Sequence, residues 1–385
     1  MGRLRTVYRC TECGSAAPKW AGRCTGCGAW NSLVEEVDEV RPLTAVALSP
    51  SAAPLPITEV AMADAAPRPT GVAELDRVLG GGLVPGSVTL LGGEPGIGKS
   101  TLLLHLASCR AAAGDTVLYV TAEESAQQVR GRAERLGSLS ERLFLQAETV
   151  LPHVLGAIDQ LTPALVVVDS IQTVHDPDLA SAPGSVVQVR ECAYRLVREA
   201  KARGTTVLLV GHVTKDGGLA GPRVLEHVVD TVLEFEGERH HALRLLRATK
   251  HRFGPTNELG LFEMVDDGLA AVPDPSKLFL ADRSKGVAGS AVVALLEGQR
   301  PLLVEVQALV AKSPLAVPRR SAQGLDQGRL SLLLAVLEQR AGVGFGDCDV
   351  YVSAVGGVRL AERGTDLAVC LALASARFGV PVAAD

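Results

Sequence analysis

Aromatic side chains are scarce in this sequence. Phe, Trp and Tyr make up 3% of its 385 residues, and there are only two tryptophans. An excess of charge of one sign is missing as well, since 38 basic and 43 acidic residues leave a formal net charge of −5. No global positive field announces a nucleic-acid partner, so any such contact must use local patches. No apolar run reaches the ~18 residues that span a bilayer. The opening MGRLRTVYRC lacks the apolar stretch of a secretory signal. Solenoid-type repeats are absent. What remains is ordinary globular composition, 47% hydrophobic and 21% charged, and enough length for two or three domains. The expected address is cytoplasmic, with no membrane partner. In such a reducing compartment Cys-x-x-Cys pairs read as metal ligands before disulfides.

Both tryptophans, Trp20 and Trp30, lie in or beside one stretch, CTECGSAAPKWAGRCTGCGAWNSL. It carries two Cys-x-x-Cys pairs: Cys10 with Cys13, and Cys24 with Cys27. Two such knuckles on a short loop predict a closed, tetrahedral four-thiolate zinc site. A segment this small buries no core of its own, so metal binding supplies its folding free energy. Gly14 and Gly28 follow the second cysteine of each pair, where a positive φ is often required. Trp20 and Trp30 are expected to pack over the ion and shield it. The other cysteines, Cys109, Cys192, Cys348 and Cys370, read as plain core residues.

Four segments follow from composition and periodicity. Residues 7–34 form the zinc finger. Residues 35–69, rich in Pro and Ala, read as a linker with one short strand near Ile57 to Val60. From 70 to 273, strands and helices alternate, which means an α/β fold with a mostly parallel sheet covered on both faces. Its last part, 225–272, reads as antiparallel strands extending the sheet edge. Residues 274–385 form a second, α+β unit whose sequence stops soon after a helix, so that the domain is expected to be incomplete.

GGEPGIGKST supplies the chemistry. Gly93, Glu94, Pro95, Gly96, Ile97, Gly98, Lys99 and Ser100 fit the P-loop pattern, with a strand before and a helix after. Its backbone N–H groups turn inward around phosphate oxygens, and the helix N-terminus adds positive charge. Lys99 reaches the β- and γ-phosphates of ATP, Ser100 is placed for Mg2+, and Thr101 for the α-phosphate. LVVVDS brings Asp169 out at the carboxyl end of a buried strand, where it holds Mg2+ through its water shell. TAEES places Glu123 and Glu124 at another strand end. A carboxylate there polarises the attacking water; the plainer reading is an acid favoured at a helix N-terminus.

These stretches, with GVAELDRVLGGGLVPG, LEHVVDTVLEFEG and KHRFG, resemble the bacterial RadA (Sms) family of DNA repair and recombination ATPases, from about residue 7 to the end. The resemblance implies a RecA-like core and a Lon-protease-like C-terminal domain. It implies a DNA-stimulated ATPase that forms a hexameric ring on single-stranded and branched DNA and drives branch migration together with RecA recombinase. By that match Glu123 is the catalytic glutamate and His212 the γ-phosphate sensor. By the same match Lys250 and Arg252 reach across a subunit boundary; from the residues alone, KHRFG reads first as a solvated turn. His251 replaces the family's Asn. Lys215 and Arg223, on a glycine-rich loop, and Arg319 and Arg320, in KSPLAVPRR, are the candidate DNA contacts. No serine lies between Arg363 and Cys370, where the Lon nucleophile belongs, so peptidase activity is not expected. Compared with the family, the chain is short by several tens of residues. Two other readings stay open at this point: a nucleotide-switched protein that binds DNA or recombinase with little motor output, and a KaiC-like signalling ATPase.

Overall fold

The computed structural model describes residues 3–40, 56–59, 66–213, 219–220, 224–237, 243–265, 268–274, 276, 279–280, 283, 286–297, 299–355 and 358–383. The chain forms two compact units, Met1–Thr256 with Phe262–Ala271, and Asn257–Leu261 with Val272–Asp385.

The zinc ribbon opens the first unit. Strand β1 (Arg3–Cys10) pairs antiparallel with β3 (Leu33–Val40), from Arg3 opposite Val40 to Cys10 opposite Leu33, and β2 (Ala16–Ala17) adds to the other side of β1. The paired strands thus run past the expected bounds of the finger. Near Ile57 a 3-10 turn (Ile57–Glu59) stands where a strand was expected.

The main sheet is built around six parallel strands in the order β10–β4–β8–β7–β5–β6. They are β4 (Val88–Gly93), β5 (Val117–Thr121), β6 (Leu143–Ala147), β7 (Leu165–Asp169), β8 (Thr206–Val213) and β10 (Thr231–Glu236). Side chains alternate between the two faces of each strand. Leu165 and Val167 therefore join one core with Leu102, Leu103, Leu104 and Leu106 of α2 (Lys99–Ala112). Val166 and Val168 join the other, with α4 (Leu151–Leu161) and α5 (Val186–Arg203). All five residues of β7 are buried, which explains its unbroken apolar run. Each such Val or Leu contributes about 1.5–3 kcal/mol by leaving water. Serine caps start two helices. Ser125 and Gln128 form a reciprocal capping box on α3 (Ala126–Arg135), and the Ser185 hydroxyl accepts from Gln188 N at the start of α5.

The 225–272 region differs from expectation in its first third. It starts with a short helix, α6 (Val224–Val228), and β10 lies parallel beside β4, inside the sheet rather than at its edge. The alternation of apolar residues fixes which face is buried but not strand direction. Antiparallel extension begins with β11 (Leu243–His251) and continues through β12 (Leu259–Val265) and β13 (Gly268–Ala271). A short β9 (Leu219–Ala220) pairs antiparallel with the end of β8.

The second unit holds a four-stranded sheet, β14 (Ser290–Glu297), β15 (Arg300–Lys312), β16 (Arg320–Gln323) and β17 (Cys348–Ala354), ordered β14–β15–β17–β16. Helices Gln327–Ala341 and Asp366–Phe378 accompany it. Among the described residues, no helix is long and apolar enough to cross a membrane.

Candidate active site and metal centre

The four ribbon thiols converge. The Sγ atoms of Cys10, Cys13, Cys24 and Cys27 all lie within 4.8 Å of one another. Cys10 to Cys27 and Cys13 to Cys24 are each 3.6 Å. Four sulfurs at the zinc–thiolate bond length of ~2.3 Å would stand ~3.8 Å apart at the corners of a tetrahedron. Backbone N–H groups already point at the sulfurs, Glu12 N to Cys10 Sγ at 3.4 Å and Gly26 N to Cys24 Sγ at 3.3 Å. Burial pushes the Cys13 thiol up to about 12. At Cys10 burial acts in the same direction, but the bonds with Ser32 and the backbone N–H groups outweigh it and lower the thiol to about 6. Gly14 and Gly28 take φ values of 70° and 79°, as the knuckles require.

The tryptophans do not shield this site. Trp20 is 58% exposed and Trp30 73% exposed. Cys10 and Cys24 are already enclosed by Leu33, Tyr8 and Ala17, so the sulfurs leave the rings no apolar role.

The second site is a cavity of about 380 Å³ at the carboxyl ends of β4, β5 and β7. Pro95, Gly96, Gly98, Lys99, Ser100, Thr101, Glu123, Glu124, Arg132, Asp169 and Met264 line it. Its size suits a small ligand. Gly93 admits no side chain, because an added Cβ would meet the Phe235 carbonyl oxygen at 2.5 Å. Gly98, at φ 114°, turns the chain into α2. Lys99 is 4% exposed, and its Nζ donates to the carbonyls of Gly93 at 2.7 Å and Glu94 at 2.9 Å. Burial pushes this ammonium below its ordinary range, with Asp169, Glu123 and Glu94 opposing the shift. A buried cation in a glycine cradle facing two carboxylates suits a polyphosphate with a divalent cation. A larger cavity of about 520 Å³ lies in the second unit, lined by Ser290, Glu305 and Gln307 among others. No described cationic side chain lines it, and so it does not suit phosphate.

Three residues around the first cavity were not singled out from sequence. Tyr119, buried on β5, donates its hydroxyl to Asp169 Oδ2 at 2.7 Å. Burial, with Asp169 beside it, raises this phenol well above its ordinary value, so that it stays a donor. The Ser170 hydroxyl donates to Glu123 Oε1 in a short bond. Arg132 on α3 pairs with Glu124 Oε1 at 2.6 Å. The two adjacent acids thus have different partners: Glu124 pairs with a guanidinium, and Glu123 accepts from the Ser170 hydroxyl. Each contact crosses from one strand or helix to the next, and no linear spacing announces it.

The remaining candidates are spread out. His212 lies near the end of β8, its backbone in register with Gly93 and Ala220. Lys250 Nζ donates to the carbonyls of Glu226 and Val229, at 2.5 and 2.7 Å, behind α6. Arg252 is half exposed and donates to Asp230 Oδ1 at 3.1 Å. Asp230 is 3% exposed, and its other oxygen accepts from Val88 N at 3.0 Å. His251 is positioned by Thr231 Oγ1 at 3.0 Å and the Leu79 carbonyl at 3.2 Å, and burial lowers its pKa. Lys215 and Arg223 lie outside the described residues. Arg320 opens β16, and Arg319, just before it, donates its N–H to Asp349 Oδ1 at 2.7 Å.

Fold and sites together define a P-loop ATPase of the α/β class that carries a four-cysteine zinc ribbon. The AAA domain family matches residues 52–218, and the rubredoxin metal binding domain family matches residues 8–35. The chain is 51% identical to DNA repair protein RadA of Halalkalibacterium halodurans, over 97% of this chain and 83% of that protein. It is 52% identical to DNA repair protein RadA of Pseudomonas aeruginosa, over 100% and 85%, and 49% identical to that of Bacillus subtilis, over 99% and 84%. The chain belongs to the RadA family.

Proposed function

We propose that this chain acts in DNA repair and homologous recombination as a DNA-stimulated ATPase. It assembles as a hexameric ring on single-stranded DNA in the cytoplasm, and drives branch migration of recombination intermediates with RecA recombinase. The observation that carries the reading is Glu123, held by Ser170 and facing Lys99 and Asp169 across the P-loop cavity, in a chain about half identical to DNA repair proteins.

In this reading Lys99 leaves the carbonyls of Gly93 and Glu94 for the β- and γ-phosphates of ATP. Ser100 and Asp169 hold Mg2+, and Tyr119 fixes the carboxylate of Asp169. Bound Mg2+ neutralises charge that develops on the phosphoryl oxygens. Glu123 accepts the proton of the attacking water. Pairing of Glu124 with Arg132 offsets a second anion that would otherwise repel phosphate. His212 reads the γ-phosphate at the end of β8. Arg252, presented by Asp230, reaches the nucleotide of a neighbouring subunit, and Lys250 supports that edge by tying α6 to β11. Lys215, Arg223, Arg319 and Arg320 contact the DNA backbone.

The test is ATP turnover with and without single-stranded DNA, for the wild type, Lys99→Ala and Arg252→Ala. DNA should accelerate the wild type, and both substitutions should abolish the stimulated rate. Turnover indifferent to DNA, or a silent Arg252→Ala, would remove the motor reading.

A further inference from the structure

The zinc ribbon sets its two indole rings into solvent with cations beside them. Trp20 is 58% and Trp30 73% exposed. Gly22 lies between the rings: a Cβ added there would meet Trp30 Cζ3 at 3.9 Å and Trp20 Cη2 at 4.0 Å. The space above Gly22 is therefore open because this residue has no side chain. The Arg23 guanidinium sits over the Trp30 ring, 5.7 Å from its centroid, and is held there by a bond from Nε to the Gly28 carbonyl at 2.9 Å. An antiparallel bridge between Arg23 and Trp30 fixes the backbone beneath the pair. Between Glu12 and Glu35 the only charged residues are Lys19 and Arg23, and both are exposed. No carboxylate in this span would repel a phosphate.

We infer that Trp20, Trp30 and Arg23 form a stacking platform for the bases of single-stranded DNA, with Lys19 and Arg23 meeting its phosphates. Exposed indole faces accept any unpaired base, and nearby cations track the backbone. A protein partner would be better served by large aliphatic neighbours, but the residues next to the rings in sequence are Lys19, Ala21, Ala29 and Asn31. Duplex DNA keeps its base faces covered and offers the rings nothing. No residue of the nucleotide cavity takes part, so this contact is separate from the ATPase reading.

The chain reports on the site by itself, because Trp20 and Trp30 are its only tryptophans. The zinc-loaded full chain is titrated with an oligo(dT), following tryptophan emission and, in parallel, the anisotropy of the labelled oligonucleotide. Both signals should saturate together, and an equal length of duplex should leave emission unchanged. Trp30→Ala should weaken binding about 5- to 100-fold, the loss expected from one unstacked base, and Trp30→Phe should restore most of it. Gly22→Val, which keeps both rings but fills the space between them, should weaken binding as well. Zinc content equal to wild type in each variant shows that the ribbon is folded. Emission that stays constant while the labelled oligonucleotide binds overturns the proposal and assigns the rings to a protein partner. Duplex that quenches as strongly as oligo(dT) overturns the claim of stacking on unpaired bases. ATP turnover measured without DNA stays at wild-type level in all these variants, so a failed platform and a failed ATPase give different results.

Discussion

Ser170→Ala removes a single hydroxyl from a fully buried position and takes away the donor that holds Glu123 Oε1. A hydrogen bond to a charged group contributes about 1.5–3 kcal/mol. If all of it is lost from the attack step, turnover falls by roughly 10- to 100-fold, since about 1.4 kcal/mol is one factor of ten. The KM for ATP should hold, because Ser170 does not line the cavity. Glu123→Gln removes the base itself and should cost roughly 10²- to 10⁴-fold. The two effects are not independent. Ser170 acts through Glu123, so Ser170→Ala in the Glu123→Gln background should cost less than about threefold. A second signature follows from charge. Donation to the carboxylate favours its ionised form, so without Ser170 the acid limb of the turnover profile moves to higher pH. The assay is steady-state ATP turnover across pH, with thermal unfolding as the check on folding. Turnover within twofold of wild type, or a rise in KM alone, would refute the role of Ser170. Full additivity in the double variant would place its action elsewhere.

Three further outcomes are expected. Chelation of zinc, or Cys27→Ala, should unfold the ribbon and shift tryptophan emission, with nucleotide-dependent protection of the P-loop core retained; a ribbon that stays folded without metal contradicts a metal-supplied fold. Asp230→Ala should strand Val88 N and free Arg252, costing about 1–3 kcal/mol of stability in chemical denaturation for the buried donor left unpaired; an unchanged midpoint would show that water replaces the carboxylate. Burial depresses the pKa of His251, so its contribution to stability is complete above the ordinary pKa of ~6.5 and declines as pH falls below it. His251→Asn should flatten that acid-side decline, which denaturation midpoints between pH 5 and 8 would show.

Much of the site was legible because its residues are close in sequence. Lys99, Ser100 and Thr101 follow the P-loop glycines directly, and the four cysteines declare themselves by spacing. Asp169 was legible because a buried strand reads as an unbroken apolar run that ends at the ligand side of the sheet. Tyr119, Ser170 and Arg132 were not. Each matters through a partner that only the strand order β6–β5–β7 and the packing of α3 bring near. Ser170 looks like the ordinary residue after a strand, and Tyr119 like any core aromatic. Two tryptophans beside four thiols suggest a shield, yet both rings are exposed. The ribbon encloses its sulfurs with paired strands, and the rings stay outside. The direction of β10 escaped because alternation is the same in parallel and antiparallel strands.

The cysteines divide the molecule into two kinds of thiol. Burial raises the pKa of Cys109, Cys192, Cys348 and Cys370, that of Cys192 to about 12, so at neutral pH these four stay protonated and poorly nucleophilic. In the ribbon the thiols are split, with Cys10 and Cys24 lowered and Cys13 and Cys27 raised. The ribbon differs in geometry, because its four sulfurs lie within 4.8 Å of one another, near enough to pair with each other on oxidation. A disulfide within the ribbon would remove two metal ligands at once, whereas oxidation of a thiol in the ATPase core or in the second unit would leave the metal site whole.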